Sequence, residues 1–555
     1  MSNIEDPEDL LEVTPPKTWA TGLPAVTHAM QYSLGQTSVR RTALTLLNIN
    51  QTKGFDCPGC AWPEPGPGHR AKNEYCENGA KHINDEATSR RVTADFFREH
   101  SVSELGEKSD YWLNQQGRLT EPMVKRPGAD HYEPIGWDDA LALLAEELRR
   151  LDSPDEALFY TSGRLNNEAA FLLQLFARAY GTNNLPDCSN MCHESSGSAL
   201  QETLGIGKGS VSLDDIHHSD LVFVVGQNPG TNHPRMLSAL EETKRNGGHI
   251  VDAKVFVGVA GNFVRATPDS EVTERAMRRC RLTAHISTKL NRSHTVCGGT
   301  ALILPTLGRS DRDIQAGGEQ FITVEDSMSE VHASRGRLHP ASPHLLSEVA
   351  IISRLARRTL GDRPSLPWEK FEADYGTIRD RISRVVPGFE DFNSRVARPG
   401  GFRLPNPVNE GVFPTPSGKA VFTRNDFEML RAPQGHLLLQ TLRSHDQWNT
   451  VPYAMNDRYR GIHNARRVVL VNPADLEALG LADRSEVDLV SVWRDGVERR
   501  AEKFRVVAYP TTPGSAAAYY PETNVLVPLD SVADISNTPT SKGVVVRLEP
   551  AVAVG

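Results

Sequence analysis

Apolar residues fall into two textures along this chain, and the change between them comes near residue 435. Before it, helical spacing alternates with short, largely apolar runs. In Asn166–Tyr180 the residues Ala169, Leu172, Leu173, Phe176 and Tyr180 recur at three and four, which predicts an amphipathic helix. Gly181 is placed to cap its C-terminus. Pro134–Leu151 repeats the pattern, and Ser270–Cys280 reads as a further helix. Ala157–Tyr160, Leu221–Gly226, Val255–Val259, Thr283–Ser287 and Ala301–Pro305 read as strands, Leu221–Gly226 as one buried on both faces of a parallel sheet. Strands alternating with helices predict an α/β fold. From Leu437 onward the segments LLLQTL, RRVVLV, SEVDLVSV, KFRVVAY, SAAAYY and GVVVRL are short strands, an all-β signature.

A chain of 555 residues exceeds one core. The expected division is an N-terminal polar arm and Cys-containing segment over 1–110, an α/β region over 111–435, and a β region over 436–555. A net charge of −9 is mild at this length and gives no reason to expect a nucleic-acid partner. No apolar run approaches the roughly 20 residues that span a bilayer. The first residues, MSNIEDPEDLLEVTPP, lack the basic-then-apolar pattern of a signal peptide. Arg40-Arg41 imitates a twin-arginine signal but lies too deep, so cytoplasm is the expected location.

Seven Cys, an odd number, read as ligands, nucleophiles or core residues and not as disulfides. Cys57 and Cys60 sit two apart in a Pro- and Gly-rich stretch, and Cys76 follows after further turn residues. Such thiolates suit an iron–sulfur cluster or zinc, with a free structural pair as the plain alternative. Cys192-His193 pairs a thiol with an imidazole, a combination that favours thiolate and hence soft-metal binding. Cys280 and Cys297 read as core. The loop Gly226, Gln227, Asn228, Pro229, Gly230, Thr231, Asn232, His233 follows a predicted parallel strand and precedes a helix, where nucleotides bind. Gly205-Ile-Gly-Lys-Gly209 lacks the full phosphate-loop pattern and carries little weight.

The run TSGRLNNEAAFLLQLFARAYGTNNLPDCSNMCHESSG resembles the active-site stretch of molybdopterin oxidoreductases of the formate-dehydrogenase-like branch. The resemblance breaks off at HIVDA and resumes at once in KVFVGVAGNFVRATPD, a segment that lies much later in relatives. A length on the order of a domain, about one to two hundred residues, is expected to be missing near Asp252. Gln315–Arg337 matches a loop leading toward the active site.

The resemblance implies a multi-domain α/β chain with a C-terminal double-psi β-barrel. It implies a bis(molybdopterin guanine dinucleotide) cofactor whose molybdenum is ligated by Cys192, with His193 as the proton acceptor in a two-electron oxidation of formate or a similar small substrate. The Gly226–His233 loop would contact one dinucleotide. Arg443, Ser444, His445, Gln447, Asn449, Asn537 and Lys542 would contact the other. Cys57, Cys60 and Cys76 match three of four ligands of a 4Fe–4S cluster, the fourth having no counterpart, and Lys81 matches a Lys between cluster and pterin. Electrons would pass to an unidentified partner. The alternative is a truncated, non-catalytic relative with impaired cofactor binding.

Overall fold

The computed structural model describes residues 10–19, 22–60, 62–65, 69–188, 194–211, 215, 218, 253–361, 366–426, 429–536 and 538–551. Cys192, His193, the predicted strand Leu221–Gly226, the loop from Gly226 to His233 and Asn537 lie outside these residues.

The predicted helices form where the spacing placed them. The helix Asn167–Tyr180 (α5 below) starts on Asn166, whose side chain accepts from Ala169 N, and stops at Gly181 with φ 115°. Trp137–Arg149 (α4) buries Ala140, Leu141, Leu144, Ala145 and Leu148. Six strands make the central sheet: β1 (Met123–Lys125), β2 (Glu133–Pro134), β3 (Ala157–Thr161), β4 (Val255–Val259), β5 (Leu282–Ser287) and β6 (Thr300–Pro305), in the order β2-β1-β6-β5-β4-β3. β3 to β6 are parallel, with Phe159 opposite Val257 and Val257 opposite Ala284. Every residue of β4 and β5 is buried, because helices and loops cover both faces. On one face α4, α5 and α8 (Glu348–Leu360) share a core with Phe159, Val257 and Leu302. Cys280 is buried in a separate cluster with Tyr160 and Phe256, beside the helix α7 (Ser270–Arg279), and Cys297 packs on a further cluster with Tyr132 and Ile303.

Two sequence expectations need correction. The N-terminal polar arm contains two helices, α1 (Leu23–Gln36) and α2 (Val39–Asn48), packed on α3 (Glu77–Glu86). Their inward positions include Ser33, Gln36, Thr42 and Thr45, which bond to neighbouring polar groups, so apolar periodicity gave no signal of burial. The stretch Gln315–Arg337 is not a loop. It folds as two β-hairpins, Asp313–Gln315 with Gly318–Gln320 and Ile322–Glu325 with Glu330–Ser334.

The C-terminal strands close into a six-stranded barrel: β7 (Leu437–Leu442), β8 (Val468–Val471), β9 (Glu486–Val492), β10 (Glu498–Ala508), β11 (Ser515–Tyr519) and β12 (Lys542–Pro550), ordered β7-β11-β8-β10-β9-β12. Alternation along β7 sends Leu437 and Leu439 inward, where they meet Val469, Val471, Phe504 and Val546. Closure removes both free edges.

Candidate cofactor cavity and thiol pocket

Cys57, Cys60 and Cys76 meet in one small pocket with Trp62, Tyr75, Asn78 and Trp448. Asn50 positions Cys57 by accepting from its backbone N at 2.9 Å, and Cys76 caps α3 by accepting from Gly79 N at 3.2 Å. A Cβ at Gly79 would lie 3.6 Å from the sulfurs of both Cys57 and Cys76, so glycine keeps the centre of the pocket open. Burial raises all three thiols, Cys60 to about 11; Cys76 raises the other two further, and Glu77 raises Cys76. Thiolates here therefore need a cation beside them.

The resemblance assigns the position between this pocket and the pterin to Lys81. Its ammonium points elsewhere, to Glu77 at 2.7 Å and to Asp446 of the barrel. Arg458 and His445 also bind Glu77, at 2.6 and 3.2 Å. Burial would raise Glu77, but the His445 hydrogen bond and the charges of Lys81 and Arg458 hold it at about 2. Glu77, His445 and Asp446 lie close enough to hold a metal, yet Lys81 and Arg458 already supply that positive charge. His82, one turn beyond Gly79 on the same face of α3, borders both the thiol pocket and the large cavity, as do Gly59, Cys60 and Trp448. Burial, and then Arg164, Lys289 and Arg309, keep its imidazole neutral.

A cavity of about 630 Å³ opens at the carboxyl ends of the parallel strands. Loops following β3 (Ser162, Gly163, Arg164), β4 (Ala260, Gly261, Asn262), β5 (Thr288–Asn291) and β6 (Thr306–Arg309) line it. This is where doubly wound sheets take nucleotides. Cys60 lines it from one side, and Trp448 to Val451 from the barrel side. Cys188 lines it too, as do Ser196 and Gly197 in the first turn of α6 (Glu194–Leu204), which brackets the undescribed Cys192-His193. Ser195 of that turn lies 3.0 Å from Thr538 Oγ1 of the barrel.

Among the described residues, the buried side-chain atoms on cavity residues without a hydrogen-bond partner include Arg309 Nε and Asn449 Oδ1. A donor and an acceptor left over at the mouth of a switch-point cavity fit a polar, dinucleotide-sized ligand. The predicted barrel residues divide in two. Ser444, His445 and Gln447 bond to Arg466, Glu77 and Tyr520 and hold their loop in shape. Arg443 stacks on Tyr520 at 4.0 Å, and Lys542 donates to Thr441 O. Burial, with Arg443 and Arg460 nearby, lowers Lys542 to about 8, so these cations form a basic group suited to phosphate.

Sequence reasoning missed several cavity residues. Glu348 opens α8 and accepts from Asn166 Nδ2 at 2.9 Å. Burial pushes its carboxyl up to about 7, Arg309 opposing and Glu86 adding. Gly207, Lys208 and Gly209, set aside as a weak phosphate loop, also line the cavity.

The molybdopterin oxidoreductase profile matches residues 118–326, and the molydopterin dinucleotide binding domain matches residues 437–545. An uncharacterized oxidoreductase of Mycobacterium tuberculosis is 43% identical, covering 98% of this chain and 97% of the relative. The chain belongs to the molybdopterin oxidoreductase family. Protein YdeP of Escherichia coli is 30% identical over 93% of this chain and 96% of its own length. Formate dehydrogenase H of the same organism is 37% identical over 24% of this chain and 19% of its own. Together they place the chain in the formate-dehydrogenase-like branch. Acetylene hydratase from Pelobacter acetylenicus shares the fold, with a TM-score of 0.52 at 12% identity, covering 78% of this chain and 92% of that one. The mycobacterial alignment extends over 756 positions, of which 98% of these 555 residues supplies about 544, so about 210 have no counterpart here. Among the described residues no helix is long and apolar enough to cross a membrane.

Proposed function

We propose that the chain oxidises formate or a similar small substrate at a molybdenum centre held by molybdopterin guanine dinucleotide, and passes the electrons to a separate protein. The observation that carries the reading is the cavity at the strand ends, flanked on both sides of Cys192-His193 by residues that line it. When bound, the metal–pterin group supplies the two-electron chemistry, and the protein binds, orients and excludes water. Cys192 holds the metal by its thiolate. His193 takes the substrate proton. Arg309, Asn449, Arg443 and Lys542 bind the polar parts of the dinucleotide. Cys57, Cys60 and Cys76 hold an iron–sulfur centre, and Gly59, Cys60, His82 and Trp448 line both its pocket and the cavity.

The second reading, a non-catalytic relative that binds cofactor poorly, draws on the roughly 210 positions without counterpart. Metal analysis of anaerobically purified protein separates the two. The proposal expects molybdenum, iron and sulfide together, and turnover that Cys192→Ala abolishes while the melting temperature stays put. Full activity in Cys192→Ala would overturn the assignment. Zinc without sulfide would overturn the iron–sulfur reading.

A further inference from the structure

The thiol pocket offers three sulfur ligands, one short of a cluster with four irons. Among the described residues, it also contains one polar atom without a hydrogen-bond partner. Asn78 is 6% exposed, two residues beyond Cys76 on α3, and lines the pocket. Its amide nitrogen donates to two barrel carbonyls, His445 O at 3.3 Å and Gln447 O at 3.4 Å. Turning the amide over would set its oxygen against both carbonyl oxygens, so the nitrogen is fixed on the barrel side. The oxygen Oδ1 is left buried with no hydrogen-bond partner. A buried carbonyl in that state calls for a donor or a cation. Its pocket neighbours include the three thiols, which as thiolates accept and do not donate.

We propose that Asn78 Oδ1 is the fourth ligand, binding the one iron that no cysteine reaches. The assignment rests on the reading of Cys57, Cys60 and Cys76 as cluster ligands. The other polar groups of the pocket are less suited. Asn50 spends its amide on Glu74 O and Cys57 N. His82 lies one turn further along, its Nδ1 against Tyr453 Oη at 2.5 Å. Two properties follow. A neutral oxygen holds iron less firmly than thiolate does, so one iron of four is labile. With one negative charge fewer than a four-thiolate cluster, the centre is easier to reduce.

The test uses the full chain, reconstituted anaerobically with iron and sulfide, as wild type, Asn78→Cys and Asn78→Ala. Treatment with one equivalent of ferricyanide should convert the wild-type cluster to a three-iron form. One electron goes to ferricyanide and one ferrous ion is released, seen as a new electron paramagnetic resonance signal and as iron captured by a chelator. Asn78→Cys should retain its fourth iron at least ten-fold longer and be reduced at a lower potential. Asn78→Ala should lose that iron faster than wild type, and circular dichroism checks that it is folded. Equal iron loss and equal potential in all three proteins would overturn the proposal, as would loss on His82→Ala but not on Asn78→Ala. Reconstitution that incorporates no iron or sulfide would instead overturn the cluster reading beneath it.

Discussion

Asn166 holds Glu348 with one end of its amide and starts a helix with the other. Its Nδ2 donates to Glu348 Oε2 at 2.9 Å, while its Oδ1 accepts from Ala169 N at 2.9 Å. The cap that orders α5 therefore also fixes a carboxyl group in the wall of the cavity.

That carboxyl carries a pH signature. Burial raises it to about 7, above its value in an unfolded chain. Below the unfolded value both states are protonated and the group is neutral to stability. As pH climbs to about 7 the unfolded chain ionises first, so a penalty builds and is complete above that point. Glu348→Gln removes it. Melting of the cofactor-free protein should show the variant gaining up to about 3 kcal/mol on wild type between pH 4.5 and 8. A gap that does not widen with pH would mean that the carboxyl is not buried as described.

Arg118 and Asp311 are paired at 2.8 Å with both side chains fully buried. Asp311 also accepts from Gly308 N at 2.9 Å, bracing the cavity loop after β6. Removing one partner strands the other charge, so Asp311→Ala should cost about 3–5 kcal/mol in chemical denaturation. The double variant Arg118→Met with Asp311→Leu should recover much of that loss. If the single variant melts like wild type, the pair does not stabilise the loop.

The length difference from the mycobacterial relative bears on cofactor content. The barrel that belongs to one dinucleotide closes fully, whereas about 210 positions of the relative are missing from the chain. The family resemblance is interrupted beside Asp252, after the loop expected to contact one dinucleotide. Guanine nucleotide released by acid from the purified protein should therefore reach clearly less than two per chain. Two per chain, with full molybdenum, would show that the missing length does not serve cofactor binding.

The fold was legible where burial follows apolar spacing. Asn166–Tyr180, Val255–Val259 and the barrel segments formed within a residue or two of their predicted limits, except that the strand predicted from Lys503 starts five residues earlier, at Glu498. It was not legible at α1 and α2, whose buried side mixes Ser33, Gln36, Thr42 and Thr45 with only Ala29 and Leu46 and whose outward side shows Leu23, Val26, Leu44 and Leu47. The site was legible through motif residues, and Cys57, Cys60 and Cys76 do meet in space. What spacing could not show is direction. Lys81 and His82 are neighbours in sequence, yet one faces the barrel and the other the cavity, a difference of about 100° around the helix. Glu348 was hidden for another reason: its partner Asn166 lies 182 residues away.

The register between β3 and β4 has a consequence for how such a chain can change over time. Ala157 faces Val255 and Thr161 faces Val259 without a slip, and β4 is held independently on its other edge by β5. A change of length just before Val255 therefore leaves every rung of the sheet in place. That position is a natural splice point, where a lineage can shed or acquire a whole lobe in one event while the remaining scaffold stays in frame.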